Sequence, residues 1–178
     1  MAPALFVLAL CGQSPSAPGT AAIGAVRERI RHVFVIFQEN HSFDNYFGTY
    51  PGAENLAGPL AQAHGFRQYD DIGKAWVTPF RITDPDTESP SQSRLVVFDK
   101  MNAGKMDAFV STQERVSGKK FGPDAARDVG LLTMAHYDCD TIPYLWKYAR
   151  TFVLYDRIFS AMTAPSTPSA VELIAGQA

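Results

Sequence analysis

The chain has 178 residues, of which 46% are hydrophobic and 19% are charged. Because 16 Lys and Arg residues face 18 Asp and Glu residues, there is no excess positive charge for a phosphate backbone or an anionic membrane. The hydrophobic fraction is too high for a disordered chain and sufficient for a sizeable core. We therefore expect one folded domain, or part of a larger one.

The first 25 residues have features of an export leader. Residues 4–10 read ALFVLAL, and small and polar residues follow this apolar run. The run is too short to cross a bilayer, and no basic residue precedes it. We expect residues 1–25 to be a signal peptide or flexible leader, residues 26–178 to fold, and the protein to be secreted or periplasmic. Once Cys11 is removed with the leader, Cys139 is expected to be a small packed residue.

The first predicted element is a strand over residues 32–37, which are apolar, β-branched and aromatic. A run without alternation suits a strand buried on both faces, as in a parallel sheet under helices. Ser42 then introduces a short helix over residues 43–47, which ends at Gly48. Residues 50–73 predict a loop, and residues 75–82 predict an edge strand.

The second half alternates between helical and strand patterns. Helices are predicted over 91–101, 105–116, from 140 to about 150, and 169–175; a connector is predicted over 117–128, and a second apolar strand over 151–155. This alternation predicts an α/β fold, with a mostly parallel sheet flanked by helices.

Two polar turns carry the candidate chemistry. Glu39 and Asn40 follow the first predicted strand, and their carboxylate and amide oxygens are suitable ligands for a divalent cation. The alternative is an exposed turn with a helix-capping Asn. Ser166 precedes the last predicted helix, where its hydroxyl is either a helix cap or a nucleophile. As a nucleophile, it would face a phosphate held by the helix N-terminus.

Together the two turns resemble a bacterial phosphoesterase family. Residues 30–48 read IRHVFVIFQENHSFDNYFG, which is similar to the family's apolar strand followed by Gln-Glu-Asn-Arg-Ser-Phe-Asp-His-Tyr-Phe-Gly. Residues 102–109 (NAGKMDAF), 140–144 (DTIPY), 152–160 (FVLYDRIFS) and 164–168 (APSTP) resemble further family segments in the same order. The family includes phospholipases C and related acid phosphatases.

The resemblance implies an alkaline-phosphatase-like fold and metal-dependent hydrolysis of phosphate esters. Ser166 would be the nucleophile, with Thr167 as the competing hydroxyl. Glu39, Asn40 and Ser166 would bind a divalent metal ion of unknown identity, while Asn40 and His41 would contact the substrate. The substrate would be a phospholipid head group or a phosphomonoester.

Several positions depart from the family pattern. His41 stands where the family has Arg, and Asn45 where it has His. Lys105 and Asp107 match a family segment, with packing or a surface salt bridge as the simpler interpretation of their role.

The family's remaining metal ligands lie C-terminal to the nucleophile helix. We therefore expect residues 26–178 to be the N-terminal part of the catalytic domain, incomplete at its C-terminus. Two alternatives remain: a catalytically silent fragment, and a module that only binds an anion or a metal ion. An incomplete domain is also expected to expose apolar surface.

Overall fold

The computed structural model of the chain describes residues 20–39, 41–59, 61 and 66–176. These residues form two compact units, with the boundary between Phe37 and Gln38. The first unit contains helix α1 (Thr20–Arg29), followed by residues 30–37, which form neither helix nor strand. Most of the predicted leader, including Cys11, lies outside the described residues.

The second unit is built mainly from helices. Its helices are α2 (Phe43–Phe47), α3 (Arg94–Met101), α4 (Phe109–Ser117), α5 (Pro123–Leu131), α6 (Pro143–Thr151) and α7 (Ser166–Ala175). Its strands are β1 (Gln68–Asp70), β2 (Ala75–Val77), β3 (Phe80–Arg81) and β4 (Ala135–His136), and 3-10 turns span Asn102–Gly104 and Leu132–Met134. Across the described part of the chain, no helix has the length and apolar character needed to cross a membrane.

The strands form two small sheets. Strands β1 and β2 pair antiparallel, with Gln68 opposite Val77, whereas β3 and β4 pair parallel, with Phe80 opposite Ala135. The connection from β3 to β4 contains helices α3 to α5, which is the crossover expected of an α/β chain. The mostly parallel sheet of the sequence prediction is not what the described residues form.

Two predicted strands are absent from the described structure. Residues 32–37 pair with no described strand, and Phe34 and Ile36 are about nine-tenths exposed. Residues 152–155 continue from α6 without strand structure, and Phe152 and Val153 are exposed. An apolar run becomes a buried strand only when neighbouring strands take its backbone hydrogen bonds and helices cover its faces. The described residues provide neither, so these runs form the exposed apolar surface that the sequence predicts.

The helix predictions agree better with the structure. Helices α2, α3, α4, α6 and α7 each lie on a predicted helix, with boundaries shifted by a few residues. Helix α5 falls partly in the predicted connector, and its signal is Gly122 followed by Pro123 in the first turn. Strand β1 lies at the end of the predicted 50–73 loop, and β2 and β3 divide the predicted edge strand at Pro79.

The core of the second unit lies at two places. Helix α4 packs most extensively on α5, and Val110, Ala126 and Val129 are buried there. Around α2, Trp146 of α6 is 4% exposed and contacts the rings of Phe47 and Tyr50. The indole Nε1 of Trp146 also donates to the carbonyl oxygen of Tyr46 at 3.0 Å. Trp146 therefore attaches α6 to the segment that follows the Glu39 turn.

Replacing Trp146 tests this second core. We expect Trp146→Ala to lower the free energy of unfolding by about 3–5 kcal/mol, because it leaves a large cavity and an unpaired carbonyl. Trp76 is 59% exposed and provides a matched control, for which the loss should be below about 1 kcal/mol. Urea unfolding followed by circular dichroism measures both. Equal losses for the two variants would contradict the packing described for α6.

Candidate functional site

The predicted metal turn lies on the exposed loop before α2. The Glu39 side chain is exposed, and Asn40 lies outside the described residues. Gln38 Nε2 donates to the Tyr46 hydroxyl oxygen at 3.1 Å. Ser42 caps α2, because its hydroxyl accepts the N–H of Asn45. The turn is therefore tied to α2 on both sides of Glu39 and Asn40.

Asn45 anchors this turn to β4. Its side-chain Nδ2 donates to the carbonyl oxygen of Ala135 at 2.7 Å, and its own carbonyl accepts the N–H of Tyr137 at 2.7 Å. The remaining amide oxygen of Asn45 lies 2.6 Å from His41 Nδ1. Because this oxygen can only accept, His41 Nδ1 must carry the hydrogen. Asn45, which stands where the family has His, thus connects the loop before α2, α2 itself and β4.

His41 is held in a defined orientation although it is exposed. Its ring stacks on Tyr46 with a centroid distance of 4.4 Å, and Nδ1 is engaged by Asn45. When the ring is neutral, Nε2 is therefore the nitrogen with a lone pair. Nearby, burial raises the pKa of Asp44, although the Leu56 backbone N–H and His136 act to lower it.

The predicted nucleophile begins helix α7. Ser166 is half-buried, it follows the extended residue Pro165, and its hydroxyl donates to Gln92 Oε1 over a long distance of 3.5 Å. The first turn of a helix has N–H groups without intrahelical acceptors, which favours an anion at that point. Pro165 and Pro168 have no N–H, so Ser166 and Thr167 supply these donors. The neighbouring Thr167 side chain is exposed.

The partner of Ser166 is itself fixed by buried side chains. Gln113 of α4 accepts the N–H of Ser91 at 2.9 Å, and Lys100 of α3 donates to the Ser91 carbonyl at 2.8 Å. Both of these side chains are buried, and burial lowers the pKa of Lys100 to about 8. The Ser91–Gln92 segment is thereby held against α3 and α4. Composition and spacing gave no signal for this role of Gln92, because it depends on a contact between distant residues.

Two of the residues predicted to bind a metal ion, Glu39 and Ser166, lie in the described part of the chain. Glu39 and Ser166 supply a carboxylate and a hydroxyl, which suit a hard divalent cation. Among the described residues, no group of three or more His, Cys, Asp or Glu side chains is arranged to hold a metal ion. The donor chemistry fits the predicted metal, while the number of donors requires further ligands.

The other residues singled out in the sequence have structural surroundings. Asp107 is exposed and accepts a hydrogen bond from Asn102 Nδ2 at 2.8 Å. Lys105 is exposed. Cys139 is a free, half-buried thiol, in line with its predicted packing role. His136 is buried, with Nδ1 3.1 Å from the carbonyl oxygen of Tyr137.

A cavity of about 690 Å³ lies away from these residues, between β3 and α5. Its wall includes Phe80, Phe121 and Leu132, and its rim carries Asp84 and Asp128. Neither Glu39 nor Ser166 lines it. The cavity is therefore separate from the predicted catalytic residues.

Comparison with known proteins places these motifs in a family. The Phosphoesterase family model matches residues 30–178. The chain is 25% identical to a non-hemolytic phospholipase C of Burkholderia pseudomallei over 85% of the chain and 21% of that protein. It is 28% identical to phospholipase C A of Mycobacterium tuberculosis (79% of the chain, 28% of that protein). It is 24% identical to a hemolytic phospholipase C of Pseudomonas aeruginosa (84% and 19%).

The chain thus spans 19% to 28% of the length of these curated relatives. No solved structure was found to match it. The family match covers both polar turns and the helices that position them. The chain belongs to the Phosphoesterase family.

Proposed function

We propose that this chain contributes the nucleophile and part of the metal site to an enzyme that hydrolyses phosphate esters. The observation that carries the proposal is the family match over residues 30–178, which includes Ser166 at the start of α7. The phospholipase C relatives favour the phosphodiester of a phospholipid head group as substrate, with phosphomonoesters as the second class.

Ser166 is proposed to attack the phosphorus atom. Its Oγ loses its proton to solvent and forms the new P–O bond, while the ester oxygen leaves in line and takes up a proton. Water then hydrolyses the serine ester, which releases phosphate when the substrate is a phosphomonoester and the phosphorylated head group when it is a phospholipid. The N–H groups of the first turn of α7 would bind the phosphoryl oxygens and orient the phosphorus towards Oγ. In the resting arrangement the Ser166 hydroxyl donates a long hydrogen bond of 3.5 Å to Gln92 Oε1, which orients this hydroxyl towards the Ser91–Gln92 segment.

Glu39, Asn40 and Ser166 are proposed to bind the divalent metal ion, with Asn40 and His41 towards the substrate. When bound, the metal neutralises charge on the phosphoryl oxygens and stabilises the serine alkoxide. The hydrogen bond from Asn45 to the Ala135 carbonyl and the stacking of His41 on Tyr46 hold the Glu39 turn in place. Because these donors are too few for a hard cation, further ligands are proposed to come from the part of the relatives that has no counterpart here.

Export is the remaining element of the proposal. The apolar run at residues 4–10 supports a secreted or periplasmic protein, where phospholipid and phosphate-ester substrates are accessible. The run lies outside the described residues.

Replacing Ser166 tests the nucleophile. We expect Ser166→Ala to reduce the hydrolysis rate of p-nitrophenyl phosphate or p-nitrophenyl phosphorylcholine by about 1,000-fold or more, because no covalent intermediate can form. Thr167→Ala is the matched control, since it removes the neighbouring hydroxyl from the same helix turn. We expect it to change the rate less than about tenfold.

Assays with added Mg²⁺, Mn²⁺, Ca²⁺ or Zn²⁺ measure both rates, and circular dichroism confirms folding. Unchanged turnover by Ser166→Ala would exclude Ser166 as the nucleophile. If the 178-residue chain hydrolyses neither substrate, the silent-fragment alternative is favoured over intrinsic activity.

Replacing Glu39 tests the metal site. We expect Glu39→Gln to weaken divalent metal binding by about tenfold or more, because the amide keeps the shape of the side chain and removes its charge. Glu88→Gln, at an exposed position, is the matched control and should leave the affinity unchanged. Isothermal titration calorimetry with each metal gives the dissociation constants. Metal binding that is insensitive to Glu39→Gln would remove the ligand assignment.

A further inference from the structure

Two carboxyl groups are buried together where β1, α4 and α5 meet. Asp70 of β1 is fully buried, and Glu114 of α4 is 3% exposed. Arg127 of α5 donates from Nε to Asp70 Oδ2 at 2.7 Å, and the N–H of Gly73 donates to Asp70 Oδ1 at 2.5 Å. Each Asp70 oxygen thus has a strong donor, as expected for an ionised carboxylate.

Glu114 receives fewer hydrogen bonds from the protein than Asp70 does. Its Oε2 accepts the N–H of Asp71 at 2.9 Å. Its Oε1 is buried and receives no N–H or O–H donor from any described residue. Because Asp71 directly follows Asp70, this bond brings the Glu114 carboxyl group beside the buried Asp70 carboxyl group. A buried carboxylate oxygen without a donor is unfavourable, whereas a protonated Oε1 can itself donate a hydrogen bond.

The surrounding charges balance only one negative charge in this cluster. Arg127 is the cation that pairs with Asp70, and it also lies near the exposed Asp128. Lys100 of α3, which also packs on α4, donates to Ser91. Arg115 of α4 pairs with Asp99 at the surface. Further charged groups on the elements of this junction are exposed: Asp71 and Lys74 on the turn between β1 and β2, and Asp124 in the first turn of α5.

The backbone leaves little room to relieve a second charge. A Cβ atom on Gly130 would lie 2.5 Å from Glu114 Cγ, and one on Gly73 would lie 2.3 Å from Asp70 Oδ2. Glycine at both positions lets α5 and the β1–β2 turn approach the two carboxyl groups closely. The Glu114 side chain is therefore packed between Gly130 of α5 and the start of the β1–β2 turn at Asp71.

We propose that Glu114 carries a proton in the folded chain and donates it from Oε1 to Asp70, so that the β1–α4–α5 junction acts as a proton-dependent latch. Loss of this proton places two adjacent carboxylates beside a single guanidinium and weakens the junction. The proposal concerns the stability of this part of the fold and does not depend on the catalytic role of Ser166.

The pKa shifts of Asp70 and Glu114 agree with this geometry. Burial and the nearby Asp70 carboxyl group raise the pKa of Glu114 to about 7, although the backbone N–H groups of Asp71 and Ile72 act to lower it. Burial acts to raise the pKa of Asp70 too, but hydrogen bonds from Gly73, Glu114 and Arg127 lower it overall. Asp70 is therefore the ionised partner, and Glu114 is the partner that holds the proton.

The raised pKa of Glu114 sets the pH range of the effect. Below about pH 4.5, Glu114 is protonated in both the folded and the unfolded chain. Between about pH 4.5 and 7, the unfolded chain has lost this proton while the folded chain retains it, so folding takes up a proton. The stabilisation from Glu114 therefore falls as pH rises through this range and is lost above it.

Urea unfolding at pH 5 to 8 tests the latch. We expect the unfolding equilibrium constant of the 178-residue chain to rise by roughly tenfold or more from the Glu114 contribution. Glu114→Gln should remove this contribution, because its amide donates to Asp70 and accepts from Asp71 without titrating. Glu88→Gln, at an exposed position, should keep the pH dependence of the parent chain. An unchanged pH dependence in Glu114→Gln would overturn the proposal.

A direct titration of the glutamate carboxyl groups tests whether Glu114 holds a proton, even if Glu114→Gln fails to fold. The chain has six glutamates, so ¹³C labelling of their side-chain carboxyl carbons gives a small set of resonances. We expect one resonance to titrate near pH 7, well above the others, and to be absent from any folded Glu114→Gln sample. If all six resonances titrate near the ordinary glutamate value, Glu114 is ionised at neutral pH and the latch does not exist.

Discussion

The buried polar face of helix α4 is the constraint on which the second unit depends. Gln113 and Glu114 are almost completely buried, and each takes a backbone N–H from another segment, that of Ser91 or Asp71. A buried polar group that loses its partner costs about 1–3 kcal/mol, so these bonds fix the position of both segments. Through Gln113, α4 reaches the Ser91–Gln92 segment and then the hydroxyl of Ser166.

The second anchoring point follows the same principle on a smaller scale. Asn45 uses both ends of its side-chain amide and its own carbonyl, and so connects His41, Ala135 and Tyr137. This arrangement positions the turn that carries Glu39. Both candidate catalytic turns are therefore held by amide side chains whose hydrogen bonds cross large sequence distances.

The sequence predicted the local elements well where the signal was local. Ser42 precedes the predicted helix over 43–47, and in the structure it caps α2. The helices predicted from 140 and over 169–175 are present and begin at Pro143 and Ser166. The strands over 32–37 and 151–155 were wrong for the described residues, because strand formation depends on partners and not on the run itself.

For the candidate site, the motifs identified the residues but could not show what holds them. The family motif predicts Ser166 and Glu39, whereas Gln92 and Lys100 lie in an unremarkable stretch of sequence. Their roles arise from contacts between α3, α4 and the Ser91 segment. The buried pair of Asp70 and Glu114 was missed for the same reason, since 44 positions of chain separate the two residues.

The exposed apolar runs and the incomplete donor set have a common interpretation. The chain covers 19% to 28% of the length of its curated relatives, and the proposed catalytic centre needs ligands beyond those described. Exposed residues such as Phe34, Ile36 and Val153 provide apolar area that further structure could bury. Under the proposed function, the described fold would orient Ser166 and the Glu39 turn, and other residues would supply the remaining metal ligands.

Trapping the covalent intermediate tests the central claim most directly. The chain would be mixed with a phosphate ester and a divalent metal, quenched in acid, digested and analysed by mass spectrometry. We predict a phosphoryl group on Ser166, and no such group on the peptide from Ser166→Ala. A phosphoryl group on Thr167 or elsewhere, or substrate turnover with no phosphorylated residue, would contradict the proposed role of Ser166.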